Sequence, residues 1–180
     1  MFRRLYNSIL ESLISIFLPL STQAKLAGVS MGKRNFINSH FWSSEPFLIT
    51  IGDDCQITNG VRMFTHGGGH VLRDVFPTFD SFGKIKIGNR VYIGSCSLIM
   101  PGVTIEDNVL VASGSVVTKS IPSNSVVGGN PAKILCSVDE YKERNLEYNI
   151  KTKGLSKKNK KRILCSLPEN CFVKKTYLSR

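Results

Sequence analysis

The chain has 180 residues, of which 42% are hydrophobic and 21% charged, with a formal net charge of +11. Those values suit one globular domain with an appendage and exclude a fibrous or low-complexity chain. The charge is uneven: residues 1–150 carry 14 Lys+Arg against 12 Asp+Glu, whereas residues 151–180 carry 10 against 1, so the basic character belongs to the tail rather than to the chain as a whole.

The N-terminus places Arg3 and Arg4 before an apolar stretch from Ile9 to Leu20. Glu11 interrupts that stretch, and it is too short to span a bilayer. Leu10, Leu13, Ile14 and Phe17 fall at helical spacing, so residues 1–25 read as an amphipathic helix. Packing of that helix against the rest of the chain, or against a sister subunit, is favoured over rest on a membrane surface with the arginines toward anionic lipid.

From Ile87 onward an aliphatic residue recurs every sixth position: Ile87, Ile93, Ile99, Ile105, Val111, Val117. A second run in the same register starts at Ile51 and passes through Ile57 to Met63, and an earlier coil is expected around Val29 to Phe41. A helix needs apolar residues three and four apart, and a plain strand needs alternation. A period of six fits a parallel β-helix, in which each hexapeptide is one short strand and one turn. Stacked coils then bury a continuous core that no single coil could form. The first position must be aliphatic because it points into a narrow interior, and the fifth (Val91, Ser97, Val103, Val109, Ser115, Ile121) is expected to face inward as well. Gly88 and Gly94 are read as supplying unusual backbone angles.

Residues 64–84 leave the register and are read as a loop thrown out from the coil, the usual place for function in a regular solenoid. The register is expected to end near Pro122, with a turn at Gly128-Gly129-Asn130-Pro131 and a helix from Ser137 to Asn149, where Ser137 and Glu140 form a capping-box pattern. The expected organisation is thus an N-terminal helix over 1–25, a β-helix domain over 26–135 and a C-terminal helix with a basic tail over 136–180. The fold class is mainly β. Five cysteines, an odd number without a C-x-x-C pair, argue against a disulfide framework or a zinc site and for a reducing cytosol.

Several stretches together carry a family resemblance: Ile87-Gly-Asn-Arg-Val-Tyr-Ile-Gly-Ser, Pro101-Gly-Val-Thr-Ile-Glu-Asp-Asn, Ala112-Ser-Gly-Ser-Val-Val-Thr-Lys and Gly128-Gly-Asn-Pro-Ala-Lys. They resemble the hexapeptide-repeat acetyltransferases, among them the galactoside, maltose and polysaccharide O-acetyltransferases. The resemblance covers roughly residues 26–145 and is specific for the superfamily more than for a substrate. It implies a left-handed parallel β-helix, a homotrimer, acetyl-CoA as the acetyl donor and active sites between subunits.

Met63-Phe-Thr-His-Gly-Gly-Gly-His stands where that family keeps its catalytic histidine. Acetyl transfer to a hydroxyl requires a base, and a neutral imidazole is suited to the task. His66, the first histidine after the last regular strand, is the expected base, and His70, deeper in the glycine run, is the runner-up. Asp74 and Asp80 are candidates to orient the base, and His40 reads as structural. Asn38 lies thirteen residues before Ile51, the offset of the acceptor-contacting asparagine of the galactoside enzymes. An amide can bind a sugar hydroxyl as donor or acceptor. The resemblance further assigns the coenzyme to Ser95, Ser113, Thr118, Lys119 and Lys133.

Three departures qualify the resemblance. Tyr92 replaces the frequent tryptophan, Cys136 replaces a second basic residue, and Pro46 replaces a substrate-binding aspartate, leaving Glu45 beside it as a substrate-binding candidate. The resulting expectation is an O-acetyltransferase acting on a sugar, such as a capsule, lipopolysaccharide or exopolysaccharide unit, without a metal. It would be cytoplasmic, with peripheral membrane contact through the N-terminal helix or the tail left open. N-acetylation of an amino sugar or another amine, and a non-catalytic β-helix, are the alternatives. The zinc-dependent members of the fold need three metal-binding histidines, and His40, His66 and His70 lack an obvious zinc spacing. The Lys157–Arg162 run contains no base-reading motif, so nucleic acid is not an expected partner.

Overall fold

The computed structural model describes residues 18–177. The expected helix over 1–25 therefore falls largely outside the described residues. The chain divides into two compact units, Met1–Val138 and Asp139–Arg180.

The first unit opens on α1 (Leu20–Ala27). Gly28 ends that helix at φ 113°, where its N–H reaches the carbonyls of Ala24 and Lys25. Twelve short strands then wind through three sheets: β1 (Ser30–Met31), β2 (Phe36–Ile37), β3 (Ile49–Ile51), β4 (Gln56–Ile57), β5 (Arg62–Met63), β6 (Ile85–Ile87), β7 (Tyr92–Ile93), β8 (Leu98–Ile99), β9 (Thr104–Ile105), β10 (Leu110–Val111), β11 (Val116–Val117) and β12 (Ser125–Gly129). A thirteenth, β13 (Ala132–Ser137), folds back on β12. The first sheet is β1-β3-β6-β9, the second runs from β2 through β4, β7, β10 and β12 to β13, and the third is β5-β8-β11. Every pairing is parallel except β12 with β13. Successive strands visit the three sheets in turn, which makes the unit a three-sided parallel coil. Isolated bridges add Phe41 above Arg62 in the third sheet and Ile121 below Ile105 in the first.

The core follows from the six-residue period. Ile87, Ile93, Ile99, Ile105, Val111 and Val117 are all buried, and so are Val91, Ser97, Val103, Val109, Ser115 and Ile121 at the fifth positions. The two serines belong inside because they have acceptors. Ser97 Oγ donates to the Gly94 carbonyl (2.8 Å) and Ser115 Oγ to the Ala112 carbonyl (2.6 Å), so neither hydroxyl is buried unpaired.

Gly88 and Gly94 have a different reason from the one read in the sequence. Neither has a positive φ. A Cβ on Gly94 would collide with the backbone nitrogen of Ser113 in the next coil, and one on Gly88 with the Asp107 carboxylate. Close approach of stacked turns, not backbone angle, requires glycine there. The left-handed conformation falls instead on the fourth position of seven hexapeptides: Asp54, Gly60, Arg90, Cys96, Gly102, Asn108 and Gly114. Asn and Asp tolerate that region best among residues with a Cβ.

Two departures from the coil leave from the same edge, where the third sheet turns back to the first. The earlier spans residues 42–48 and ends in a 3₁₀ turn, Pro46–Leu48. The later spans residues 64–84, so Lys86 pairs with Thr50 at an offset of 36 residues, whereas Thr104 pairs with Lys86 at 18. This longer segment contains a 3₁₀ turn, Gly69–Leu72, and is closed at its base by an antiparallel bridge between His66 and Phe82.

At the far end the coil continues past Pro122 into the β12–β13 hairpin, so Ala132–Ser137 is strand where the sequence suggested only a turn and the approach to a helix. The helix α2 (Val138–Leu146) begins one residue after Ser137, and α3 (Lys157–Ser166) lies within the basic tail. Ser156 caps α3 by accepting from the Asn159 N–H at 3.3 Å. No described helix is long and apolar enough to cross a membrane.

Candidate active site

The two departures at one edge bring their side chains together. Glu45, from the first, and His66, from the second, meet with Nδ1 to Oε2 at 2.7 Å. Stacking of Phe41 on Arg62 sets this encounter, because it puts the two exit points in adjacent coils. His66 is then held on three sides. Its backbone bridges Phe82, its ring meets the Phe82 ring edge-on at 5.8 Å between centroids, and the preceding Thr65 carbonyl accepts from Gly83 N at 2.7 Å.

Thr65 is fully buried and completes the arrangement. Its Oγ1 lies 2.6 Å from Glu45 Oε2 and 2.8 Å from Ser43 Oγ, and its N–H reaches Ser43 Oγ at 3.2 Å. The single Thr65 hydroxyl proton goes to the carboxylate, which can only accept. Ser43 therefore accepts from Thr65 N–H and donates to Thr65 Oγ1. The chain of bonds runs Thr65 N–H to Ser43, Ser43 to Thr65 Oγ1, and Thr65 Oγ1 to Glu45, with His66 donating to Glu45 from the other side.

This geometry selects the tautomer of a neutral His66 ring. The Thr65 hydroxyl, and then the His66 ring, hold the Glu45 carboxyl below the usual glutamate range, against the opposing effect of burial. Glu45 is thus an anion that accepts at Oε2, so Nδ1 of a neutral His66 carries the hydrogen and Nε2 keeps its lone pair. The His66 side chain is 40% exposed and that of Glu45 19%, so the ring is open to a reactant while its partner is largely shielded. An imidazole held in this way can take a proton at Nε2 and return it.

The other expected residues separate onto two edges. Thr118 and Lys119 follow β11 on the same edge as His66, two coils further along. Asn38, Ser95 and Ser113 stack on the opposite edge of the third sheet, where the second sheet turns into it. Asn38 is exposed there, with its N–H bonded to the Ile57 carbonyl at 2.8 Å. Ser95 Oγ donates to Thr58 Oγ1 at 3.2 Å, and Ser113 is exposed beside Gly114, whose missing Cβ faces open space. Lys133 is exposed on β13. A single chain does not gather these residues at His66.

Two expectations change. Glu45, read as a substrate contact, is bonded through Oε2 to the imidazole. Asp74 and Asp80, read as orienting groups, are exposed, and the Asp80 carboxylate accepts from the Ser81 N–H at 3.1 Å. His70 lies exposed in the Gly69–Leu72 turn. His40 is exposed, and its ring lies tilted against that of Phe41 at 4.1 Å between centroids. Thr65 and Ser43 were not singled out by the sequence at all. Among the described residues there is no group of three or more His, Cys, Asp or Glu placed to hold a metal ion, and Cys55, Cys96, Cys136, Cys165 and Cys171 are free.

Residues 84–119 match the family model described as bacterial transferase hexapeptide (six repeats). Protein CapG of Staphylococcus aureus is 49% identical over 121 residues, 67% of this chain and 70% of that protein. The chain belongs to the hexapeptide-repeat acetyltransferases. Galactoside O-acetyltransferase of Escherichia coli K12 is 35% identical over 127 residues, and this chain spans 60% of its length. Among solved structures, a hexapeptide-repeat-containing acetyltransferase of Vibrio cholerae O1 biovar eltor, complexed with acetyl coenzyme A, is 32% identical with a TM-score of 0.55, over 61% of this chain and 60% of that one.

Proposed function

We propose that this protein transfers an acetyl group from acetyl-CoA to a hydroxyl of a sugar acceptor, with His66 as general base and Glu45 as the group that orients it. The observation carrying this reading is the 2.7 Å contact between His66 Nδ1 and Glu45 Oε2, which leaves Nε2 free on a ring that is open to solvent. Acetyl-CoA supplies the acyl group already activated as a thioester. His66 Nε2 removes the hydroxyl proton as the acceptor oxygen bonds to the acyl carbon. As the carbon–sulfur bond breaks, the imidazolium returns that proton to the departing sulfur, so the ring ends neutral. Backbone N–H groups along the cleft stabilise the developing oxyanion.

The chain's own surface suits the donor. The edge carrying Ser95, Ser113 and Gly114 offers small side chains and bare backbone along which a thin pantetheine arm can lie. Lys119 and Lys133, both exposed, are the cations offered to its phosphates. Asn38 binds the acceptor. These residues and His66 lie on two edges of one chain, and a homotrimer of left-handed coils would complete each site by setting the edge of one copy against that of the next. The acceptor is a polysaccharide precursor unit, modified in the cytoplasm, and α3 with the basic tail is the segment available to meet an anionic membrane face.

Incubation with acetyl-CoA and a panel of sugars, with free thiol followed over time, tests the reading. Sugar-dependent thiol release and an alkali-labile product are expected. An alkali-stable product would point to an amide and favour the N-acetyltransferase alternative, and full turnover by His66→Ala would remove the assigned base.

A further inference from the structure

A cleft of about 300 Å³ is lined by His40, Phe41, Trp42 and Ser43 from the first coil and by Arg62, Met63 and Phe64 from the second, and its lining ends two residues before Glu45 and two before His66. Two of these residues tie it to the reactive group. Ser43 is the hydroxyl bonded to Thr65, and Phe64 directly precedes the Thr65–His66 pair. The cleft holds Phe41 with two neighbouring cationic or polar groups against it. The His40 ring lies 4.1 Å from the Phe41 ring, and the Arg62 guanidinium sits 4.6 Å above the centre of the same ring.

The cleft carries one guanidinium and no carboxylate of its own. Arg34 is paired with Asp54 through two bonds of 2.6 Å, and Arg144 lies 3.9 Å from Glu140. Arg62 makes no ion pair among the described residues, and none of the cleft residues is a carboxylate. An arginine whose guanidinium carbon lies over an aromatic ring still has its fork of N–H donors available at its edge. Such a fork matches an oxyanion bidentately, and no neutral sugar hydroxyl uses it as well. Phe41 and Trp42 offer apolar surface for the C–H face of a sugar ring alongside.

We propose that the cleft binds the acceptor and that Arg62 selects a sugar carrying an oxyanion, either the carboxylate of a uronic acid or a phosphate. The proposal rests on the transferase reading and names its acceptor class. His40 and Phe41 position the guanidinium. Ser43 and Thr65 set the distance between the bound acceptor and His66.

The test compares three acceptors: a methyl hexoside, the corresponding methyl hexuronide, and the corresponding hexoside 6-phosphate. Thiol release from acetyl-CoA gives kcat/KM for each, and calorimetric titration in the presence of free coenzyme A gives binding without turnover. At least one anionic acceptor should be preferred over the neutral one by on the order of ten- to a hundredfold. Which arm is preferred identifies the carboxylate or the phosphate source, and equal preference for both assigns a general oxyanion site. Arg62→Met keeps the stem against Phe41 and should bring the anionic-to-neutral ratio close to one, and Arg62→Lys should retain part of it. A wild-type ratio near one, or a ratio unchanged in Arg62→Met, overturns the proposal. Anion-selective binding without thiol release from any sugar would overturn the transferase reading and leave the Arg62 site standing. Thiol release without selectivity would do the reverse.

Discussion

Residues 85–121 and residues 38–84 are built from the same hexapeptide and do different work. In the first region the strands recur at a fixed offset of 18 residues, and the buried set runs without interruption from Ile85 to Ile121. In the second, coils of the same kind are interrupted twice at one edge, and the interruptions carry Ser43, Glu45, Thr65 and His66. The regular coils supply no reactive cluster, and the interruptions taken alone supply no fixed geometry. Register places the two exit points one above the other, and irregular segments then put chemistry there. A solenoid thus separates the part that positions from the part that reacts, and the two can be broken separately.

The sharpest break is at the imidazole. If His66 is the base proposed above, His66→Ala should lower kcat for acetyl transfer by on the order of 10³-fold while leaving the far-ultraviolet circular dichroism unchanged, because the removed ring lies outside the core. The opposite break is Ile93→Ala. Ile93 is fully buried in the regular region, and its truncation should cost about 2–5 kcal/mol in denaturant unfolding. If the two regions are separable, kcat of the still-folded fraction of this variant should stay within about twofold of wild type.

Glu45→Gln sharpens the comparison inside the site. An amide can offer Nδ1 a donor where the carboxylate offers only an acceptor, which favours the wrong tautomer. Turnover should fall by roughly ten- to a hundredfold at saturating acetyl-CoA, with little change in the donor's KM. The same carboxylate has a pH signature. Its pKa is lower in the folded chain than in the unfolded one, chiefly through the Thr65 hydroxyl. Its contribution to stability is therefore complete above the ordinary glutamate range and is lost as pH falls through the lowered folded value. Thr65→Val removes the largest cause, so the acid limb of the unfolding curve should move to higher pH. An unmoved limb would mean that the Thr65 hydroxyl does not hold the carboxylate. The smallest effects are expected at His70→Ala and Asp74→Ala, exposed positions in the same loop, where turnover should change by less than about twofold.

What the sequence disclosed follows the same division. The aliphatic positions from Ile87 to Val117 were legible because burial in a narrow core admits few residue types, and a period of six has no other common cause. His66 was visible from its place at the end of the last regular strand before a glycine run. Its partner was not, because Glu45 lies 21 residues away and the two irregular segments between the coils differ in length, which hides the stacking. The signal existed: aligning Phe41 with Arg62 puts both breaks on one edge. Gly88 and Gly94 were assigned the wrong reason because sequence shows that glycine is needed but not whether backbone angle or coil spacing needs it. The β12–β13 hairpin was missed because Ala132–Ser137 pairs antiparallel and has no place in the sixfold register. Ser156 before a lysine-rich stretch was a readable helix start that the charge of the tail obscured.

The central claim is that Glu45 fixes the His66 ring with its proton on Nδ1 and its lone pair on Nε2. Long-range nitrogen–proton correlation spectra of the His66 ring report this state directly. The account predicts that the neutral ring is protonated at Nδ1 in the wild-type protein and loses that preference in Glu45→Gln. A wild-type ring protonated at Nε2, or a tautomer that ignores the Glu45 substitution, would contradict it.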